Sequence, residues 1–308
     1  MIKRTIYFSK PAYLSLKYKQ LVVKLMEESD SPPTGPPVIK TMAIEDLGIV
    51  ILDNQQITIT HALLSALVAN NVALIICDNN HMPASLQLPL DCNTLQSERF
   101  SHQIKASLPL KKQLWQQTIQ AKLRNQAAVL SNLRGSEVGN LTVWSTKVKS
   151  GDPQNLEARG AAYYWKNMFP NLNFFRDRYG PEPNNLLNYG YAILRAIVAR
   201  SLVASGLLPT LGIHHRNRYN AYCLADDIME PYRPFVDNLV AQIHDEEDDC
   251  GILTTSIKRK LLSIPVLDVI VDGSRSPLSN GVSRTTYSLY KCYDGSLRKL
   301  VYPEFVPS

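Results

Sequence analysis

The 308-residue chain has little charge: Asp, Glu, Lys and Arg make up 19% of it, against 45% apolar residues. That balance excludes intrinsic disorder as the main state and leaves enough apolar surface for a sizeable core. Cysteine is scarce. Cys77, Cys92, Cys223, Cys250 and Cys292 are odd in number, scattered, and form no CxxC pair. Such a set argues for reduced thiols in a cytosol, and against a disulfide framework or a zinc knuckle. The 14 glycines and 19 prolines follow no period, which excludes collagen-like and low-complexity architectures. No apolar run reaches the roughly 18 residues of a membrane span, so none is expected. The opening Met1-Ile2-Lys3-Arg4-Thr5 lacks the apolar core of a secretory signal. Also missing are a GxxxxGK[ST] phosphate loop, a GxSxG elbow, an HExxH helix and a GxGxxG fingerprint.

What is present begins with a basic excess. Lys and Arg number 33 against 27 Asp and Glu, a formal charge of +6. The excess favours polyanionic partners such as nucleic acid, although many soluble proteins share it.

The first ninety or so residues read as β structure. Ile2, Ile6 and Phe8 begin a short strand, and residues 13–18 alternate with period two. Residues 21–25 continue after Lys19-Gln20, as a hairpin or as one long bent strand. Residues 27–37 hold Pro32, Pro33, Pro36 and Pro37 and predict a flexible loop. Strands resume over 40–44 and 48–52. Thr60 is a plausible cap for a helix over 61–70, followed by a buried strand at 72–77, a turn at Asp78-Asn79-Asn80 and a short strand at 85–88.

After Asp91 the pattern changes to a helical period. Leu114, Ile119, Leu123 and Leu130 form a stripe within 110–134. Further helices are expected at 155–167, 186–205 and 221–243, the last broken by Pro231 and Pro234. Residues 266–271 read as strand or helix. There is no internal repeat, and the clearest change of composition falls at 91–95.

Three places in the helical part could carry chemistry. In Glu157-Ala158-Arg159-Gly160-Ala161-Ala162, the small residues admit a close neighbouring helix and put Glu157 on the packed side. A carboxylate there is costly unless it is paired or bound to a cation. Equally, Glu157 complements a helix dipole. In Gly212-Ile213-His214-His215-Arg216-Asn217-Arg218, adjacent histidines cannot point the same way on a regular element, and the arginines suit phosphate. An exposed polar loop explains the same residues. Asp227 and Glu230 are three apart and share a helix face, which a solvated acidic surface also explains. Together the three places supply two carboxylates and an imidazole. That set suits a divalent ion such as Mn²⁺ or Mg²⁺ and phosphoryl chemistry on nucleic acid better than structural zinc.

At these residues the chain resembles the CRISPR-associated spacer-acquisition integrase and endonuclease, in the version that accompanies type II systems. The resemblance runs nearly end to end. It is carried by the strand-rich start, by Ser107-Leu108-Pro109-Leu110-Lys111-Lys112-Gln113-Leu114-Trp115, by Glu157 within Glu-Ala-Arg-Gly-Ala-Ala-Tyr-Tyr-Trp, and by Leu187-Asn188-Tyr189-Gly190-Tyr191-Ala192. Gly212-x-x-His215 and Asp227-x-x-Glu230-Pro231 complete it. His214 and Asp226 stand where the family usually has apolar residues.

The resemblance implies an α+β fold: a β-rich domain over 1–92 used for dimerisation, then an α-helical, metal-dependent catalytic domain over 93–308. It implies that Glu157, His215 and Glu230 are the catalytic metal ligands for Mg²⁺ or Mn²⁺, with Asp227 behind them or capping the helix. The implied partners are a second copy of the chain, a small second adaptation subunit, and double-stranded DNA, both the prespacer duplex and the CRISPR repeat and leader. No membrane partner is implied, and the place of action is the cytoplasm. The implied reaction is direct transesterification by a 3′-OH, or by water on branched DNA. Activity is expected to fall as the pH drops through the titration of His215, because a ligating imidazole must be neutral. Arg159, Arg176, Arg216 and Arg218 are candidates for phosphate contact, with Arg178 behind them; surface ion pairs would explain each equally. Two rivals remain at this point: a metal-dependent nuclease of branched DNA without integration, and a non-catalytic DNA-binding scaffold.

Overall fold

Tyr18 and Lys19 settle how the chain begins. Both have positive φ, 49° and 59°. That is the mirror-image two-residue turn whose twist matches that of paired strands. The alternation on either side is therefore a hairpin. The computed structural model describes residues 3–25, 39–91, 93–135, 138–170, 172–247 and 249–305. Cys92 and the loop expected over 27–37 lie outside the described residues. The chain divides into two compact units, 1–92 and 93–308.

In the first unit, β1 (Arg4–Phe8), β2 (Ala12–Lys17), β3 (Gln20–Leu25), β4 (Ile39–Ala43), β5 (Leu47–Leu52) and β6 (Ile57–Ile59) precede α1 (His61–Ala69), β7 (Ala73–Cys77) and β8 (Pro83–Gln87). One sheet has the order β1-β5-β7-β8, with β1, β5 and β7 parallel and β8 antiparallel at its edge. The other has the order β4-β3-β2-β6. Thr60 caps α1, its hydroxyl accepting from the Leu63 amide. Leu14, Leu21, Val50, Leu52, Leu63, Leu67 and Leu74 pack from both sheets and α1 into one core. Every residue of β5 is buried, which explains its unbroken apolar run.

The second unit is mainly helical. It contains α2 (Gln96–Lys105), α3 (Leu108–Arg134), α4 (Gly139–Lys147), α5 (Leu156–Met168), α6 (Asn184–Ala204), α7 (Cys223–Met229), α8 (Arg233–Glu246), α9 (Thr255–Leu261), the hairpin β9 (Asp268–Val271) and β10 (Ser274–Pro277), and α10 (Leu278–Tyr293). The α+β class, with a strand-rich part followed by a helical one, is thus present. Ser107 caps α3 through the Leu110 amide, with Pro109 in the first turn. Gly135, at φ 57°, ends it. The segment 266–271, legible as strand or helix, is a strand over most of its length.

Two glycines set how closely helices approach. A Cβ on Gly160 of α5 would lie 2.2 Å from Leu123 Cδ2 of α3. A Cβ on Gly190 of α6 would lie 2.6 Å from Val236 Cγ1 of α8. Helix α6 is long and apolar enough to cross a bilayer, but most of it is buried, packed on α7, α8 and α10. It is the core helix of this unit.

Candidate active site

Helix α3 supplies a residue that the sequence reading passed over. Trp115, Ile119, Lys122, Gln126 and Val129 recur at intervals of four and three along it and are all buried. Lys122 is a charge on an apolar stripe. Its ammonium donates to Glu157 Oε1 at 2.8 Å and lies 2.6 Å from Glu230 Oε2. The second contact is off the line of a hydrogen bond. Glu230 Oε2 is therefore buried beside a charge but without a hydrogen-bond partner. The other oxygen, Oε1, lies 2.9 Å from Arg233 Nε.

Each carboxylate is positioned by local chemistry. Asp152 accepts from the backbone amides of Leu156 and Glu157, both at 2.9 Å. It thereby satisfies the orphan donors that open α5 and fixes the turn that carries Glu157. Asn155, in the left-handed region at φ 51°, makes no such cap itself. Glu230 opens a 3₁₀ turn, Glu230–Tyr232, that links α7 to α8. Pro231 is its second residue, still within the first turn, where a missing amide costs no intrahelical bond. Asn125 of α3 donates to the Pro231 carbonyl at 2.8 Å and holds this turn against α3.

The histidines occupy the loop before α7. Asp227, fully buried on α7, gathers them. Its Oδ2 accepts from the His214 amide at 2.9 Å, and its Oδ1 from the His215 amide at 3.3 Å. The same Oδ1 lies 2.5 Å from His215 Nδ1. This leaves Nε2 as the ring nitrogen of His215 able to act as a ligand. The adjacent ring turns elsewhere: His214 stacks on buried Trp115, centroids 4.1 Å apart and planes 2° from parallel. Gly212 makes the loop possible, since a Cβ there would lie 2.4 Å from the His215 carbonyl oxygen and 2.8 Å from Asp227 Oδ2.

The electrostatics follow from these contacts. Burial alone would raise the Glu230 carboxyl, but Arg233 and Lys122 overcome it and hold the group down at about 2. Burial opposes the charge of Lys122, and Glu230 and Glu157 more than offset it, so its pKa stays raised. The hydrogen bond that the His215 ring donates to Asp227 raises the pKa of His215. Burial lowers His214, and His215 beside it adds to the effect. The field of His215 also reaches Glu230, which places the imidazole and both carboxylates in one electrostatic neighbourhood.

The donor set tests well against a divalent ion. Among the described residues, no three His, Cys, Asp or Glu side chains are already grouped closely enough to hold a metal. Yet Glu157 and Glu230 converge on one cation, and one of their oxygens is buried without a hydrogen bond. A histidine oriented through its far nitrogen by a carboxylate is the usual support for a metal ligand. Two carboxylates and one imidazole are hard to borderline donors that suit Mg²⁺ or Mn²⁺.

The arginines are more dispersed. Arg216 and Arg218 are exposed on the His215 loop, with Arg218 over the Tyr219 ring. Arg159 is exposed on α5, near the Trp144 ring. Arg176 is half-buried and already donates to the Asp177 carbonyl, Asn184 and Asn188, so it has the fewest free donors of the four. Arg178 lies exposed beside Tyr179. Sequence reasoning missed Lys122, Asp152, Trp115 and Arg233. For Lys122 the available signal was its place on the apolar stripe of α3.

Comparison with known proteins adds the following. Residues 6–248 match the family described as CRISPR associated protein Cas1. The CRISPR-associated endonuclease Cas1 of Neisseria meningitidis serogroup C (strain 8013) is 32% identical over 314 residues, covering 100% of this chain and 98% of that protein. Among solved structures, a casposase bound to integration product superposes with a TM-score of 0.79 at 21% identity, over 97% of this chain and 92% of that one. A Cas6-RT-Cas1–Cas2 complex gives a TM-score of 0.75 at 18% identity, over 99% of this chain and 36% of that one. At such identities the structures establish a shared fold.

Proposed function

Because the chain belongs to the CRISPR-associated Cas1 family, we propose that it is a metal-dependent DNA endonuclease and integrase of CRISPR adaptation, inserting short duplexes into a CRISPR array by 3′-OH transesterification. One observation carries the chemistry: Glu157 and Glu230, remote in sequence, meet on the Lys122 ammonium with the His215 imidazole in the same field.

In this reading Glu157, Glu230 and His215 Nε2 hold Mg²⁺ or Mn²⁺, which supplies Lewis-acid stabilisation of the phosphoryl transition state and makes the attacking hydroxyl more acidic. The protein's own part is orientation and charge. Asp227 fixes the ring of His215 and keeps Nε2 free. Asp152 fixes the turn that carries Glu157. Arg233 and Lys122 keep Glu230 ionised, as a ligand must be. Exposed Arg159, Arg216 and Arg218 take phosphate oxygens of the duplex. During transfer the 3′ oxygen of the incoming strand bonds to the target phosphorus. The bond from that phosphorus to the neighbouring 3′ oxygen breaks, and the proton lost by the incoming hydroxyl is matched by one gained on the departing oxygen. One phosphodiester replaces another, so no nucleotide fuel is needed. Water in place of the hydroxyl gives strand cleavage. The partners proposed are a second copy of this chain, meeting through the strand-rich unit, and a small companion of the Cas2 kind, meeting the C-terminal part of the helical unit. Acting on DNA of this kind places the protein in the cytoplasm.

The test is half-site insertion of a labelled duplex with free 3′ ends into a supercoiled plasmid. The protein is expected to form the branched product. Glu157→Ala, His215→Ala and Glu230→Ala should each lower it by at least about 100-fold, with circular dichroism and DNA binding retained. Cleavage of branched DNA without insertion would reduce the reading to a nuclease. DNA binding with neither reaction would reduce it to a scaffold.

A further inference from the structure

Of the residues that α3 buries, Lys122 is the one that carries a charge. Its position is specific: the ammonium lies between the two carboxylates assigned above to a divalent ion, 2.8 Å from Glu157 Oε1 and 2.6 Å from Glu230 Oε2. Its side chain is 9% exposed and that of Glu230 8%. Two carboxylates held this close, largely out of water, repel strongly unless a cation stands between them.

The two contacts differ in kind. The bond to Glu157 is an aligned hydrogen bond, whereas Glu230 Oε2 has the charge without the alignment. The hold on Glu230 is mainly electrostatic, and a cation of higher charge competes for it directly. Arg233 also meets Glu230 as an ion pair without an aligned hydrogen bond, but it differs from Lys122 in place and stiffness. It approaches the opposite oxygen, Oε1, and its guanidinium is a rigid fork, packed 4.5 Å from the Tyr191 ring centre. A lysine head on a four-carbon stem can be moved without moving its helix. An ammonium and a divalent ion sharing one small space would repel at short range, so a place for one is a place from which the other is displaced.

We propose that Lys122 is a placeholder cation: its ammonium compensates Glu157 and Glu230 when no divalent ion is bound, and it leaves that position when one binds. The proposal rests on the reading of Glu157, His215 and Glu230 as metal ligands. Its function is to keep a converged pair of carboxylates folded and poised before the ion arrives, with metal affinity reduced in return. Lys122 is in this sense a positioning residue.

The experiment uses the full chain, metal-depleted with a chelator, and Mn²⁺ alone as probe. Mn²⁺ binding is followed by the paramagnetic resonance of the free ion, and stability by thermal unfolding. Lys122→Met should melt below the wild type without metal, gain more in melting temperature on adding Mn²⁺, and bind Mn²⁺ at least about tenfold more tightly. Equal or weaker Mn²⁺ binding by Lys122→Met would overturn the proposal. If that variant does not fold, the wild type decides: amine acetylation read by mass spectrometry should label Lys122 faster with Mn²⁺ than with chelator, and Glu157→Gln should not show the increase. Labelling of Lys122 that is unchanged by Mn²⁺ overturns the proposal as well. The two failures are separable. If the wild type binds Mn²⁺ no better than Glu157→Gln, His215→Ala and Glu230→Gln, the metal reading fails and the placeholder with it. If the wild type binds through those residues and Lys122→Met binds no tighter, only the placeholder fails.

Discussion

His214 and His215 are adjacent, yet their surroundings give them opposite parts. His215 is tied by Nδ1 to buried Asp227, and this bond raises its pKa. His214 lies flat on Trp115, where burial lowers its pKa and favours the neutral ring. An apolar ring should therefore replace His214. His214→Phe is expected to keep strand transfer within a few fold, because the stack on Trp115 survives. Asp227→Asn should lose about 10–100-fold, since the orientation of His215 depends on it. Both are read in the same plasmid insertion assay, and an active His215→Ala alongside an inactive His214→Phe would exchange the two assignments. The residues of this site were unevenly legible. Glu157, His215, Asp227 and Glu230 lie in short motifs with fixed spacing, and motif reading finds them. Lys122 and Asp152 have no such motif. Their parts depend on α3 meeting α5 at Gly160 and on a loop folding back onto a helix start, which spacing along the chain does not encode.

Three helices of the second unit meet at Asp237. This residue of α8 is 1% exposed and accepts from the hydroxyls of Tyr164 on α5 and Tyr191 on α6, at 3.1 and 2.5 Å. Burial pushes its carboxyl up to about 7, against the pull of the two tyrosine hydroxyls and of Arg233 and Arg176. The sign for stability follows. The folded chain holds this proton more tightly than the unfolded chain, so stability from this group is full in acid and declines as the pH rises from the ordinary carboxylate range through about 7. Asp237→Asn abolishes the titration. Its stability deficit relative to the wild type, from denaturant unfolding, should be larger at pH 5 than at pH 8; the same deficit at both would show that Asp237 does not titrate there.

Elements, like residues, were legible where pattern was undiluted. The strands β2 and β3, the long α3 and the α7–α8 break at Pro231 follow from alternation, apolar stripe and proline, whereas the turn at Tyr18-Lys19 decided between a hairpin and one bent strand. Helix α10 does not show in that way. Its buried face includes Gly281, Thr285, Thr286 and Ser288, and these polar groups bond inward. Thr285 pairs with the Tyr232 hydroxyl and the Val301 carbonyl, and Thr286 with Ser201. The apolar stripe of Leu278, Val282, Leu289 and Tyr293 is interrupted midway by these buried polar residues, which weakens the pattern in the sequence. Helix α2 is hidden for a related reason: it buries little besides Gln103, whose amide donates to the carbonyls of Leu208 and Leu211.

At the scale of the whole molecule, the α+β class was legible in the shift of period after Asp91, because burial in a sheet and burial against a helix demand different spacings. The charge of +6 agreed with a polyanionic partner without identifying one. What composition and period could not supply was convergence. Glu157 on α5 and Glu230 on the turn after α7 are brought together on Lys122 by packing against α3, with His215 on the loop before α7 within their electrostatic reach, a property of the folded unit alone. The central claim is that these three side chains share one divalent ion. Anomalous diffraction from crystals equilibrated with Mn²⁺ measures it most directly. The account predicts one strong anomalous peak, coordinated by carboxylate oxygens of Glu157 and Glu230 and by His215 Nε2, with the Lys122 ammonium displaced. A peak bound elsewhere, or none while Glu157 and Glu230 stay on Lys122 at saturating Mn²⁺, would contradict it.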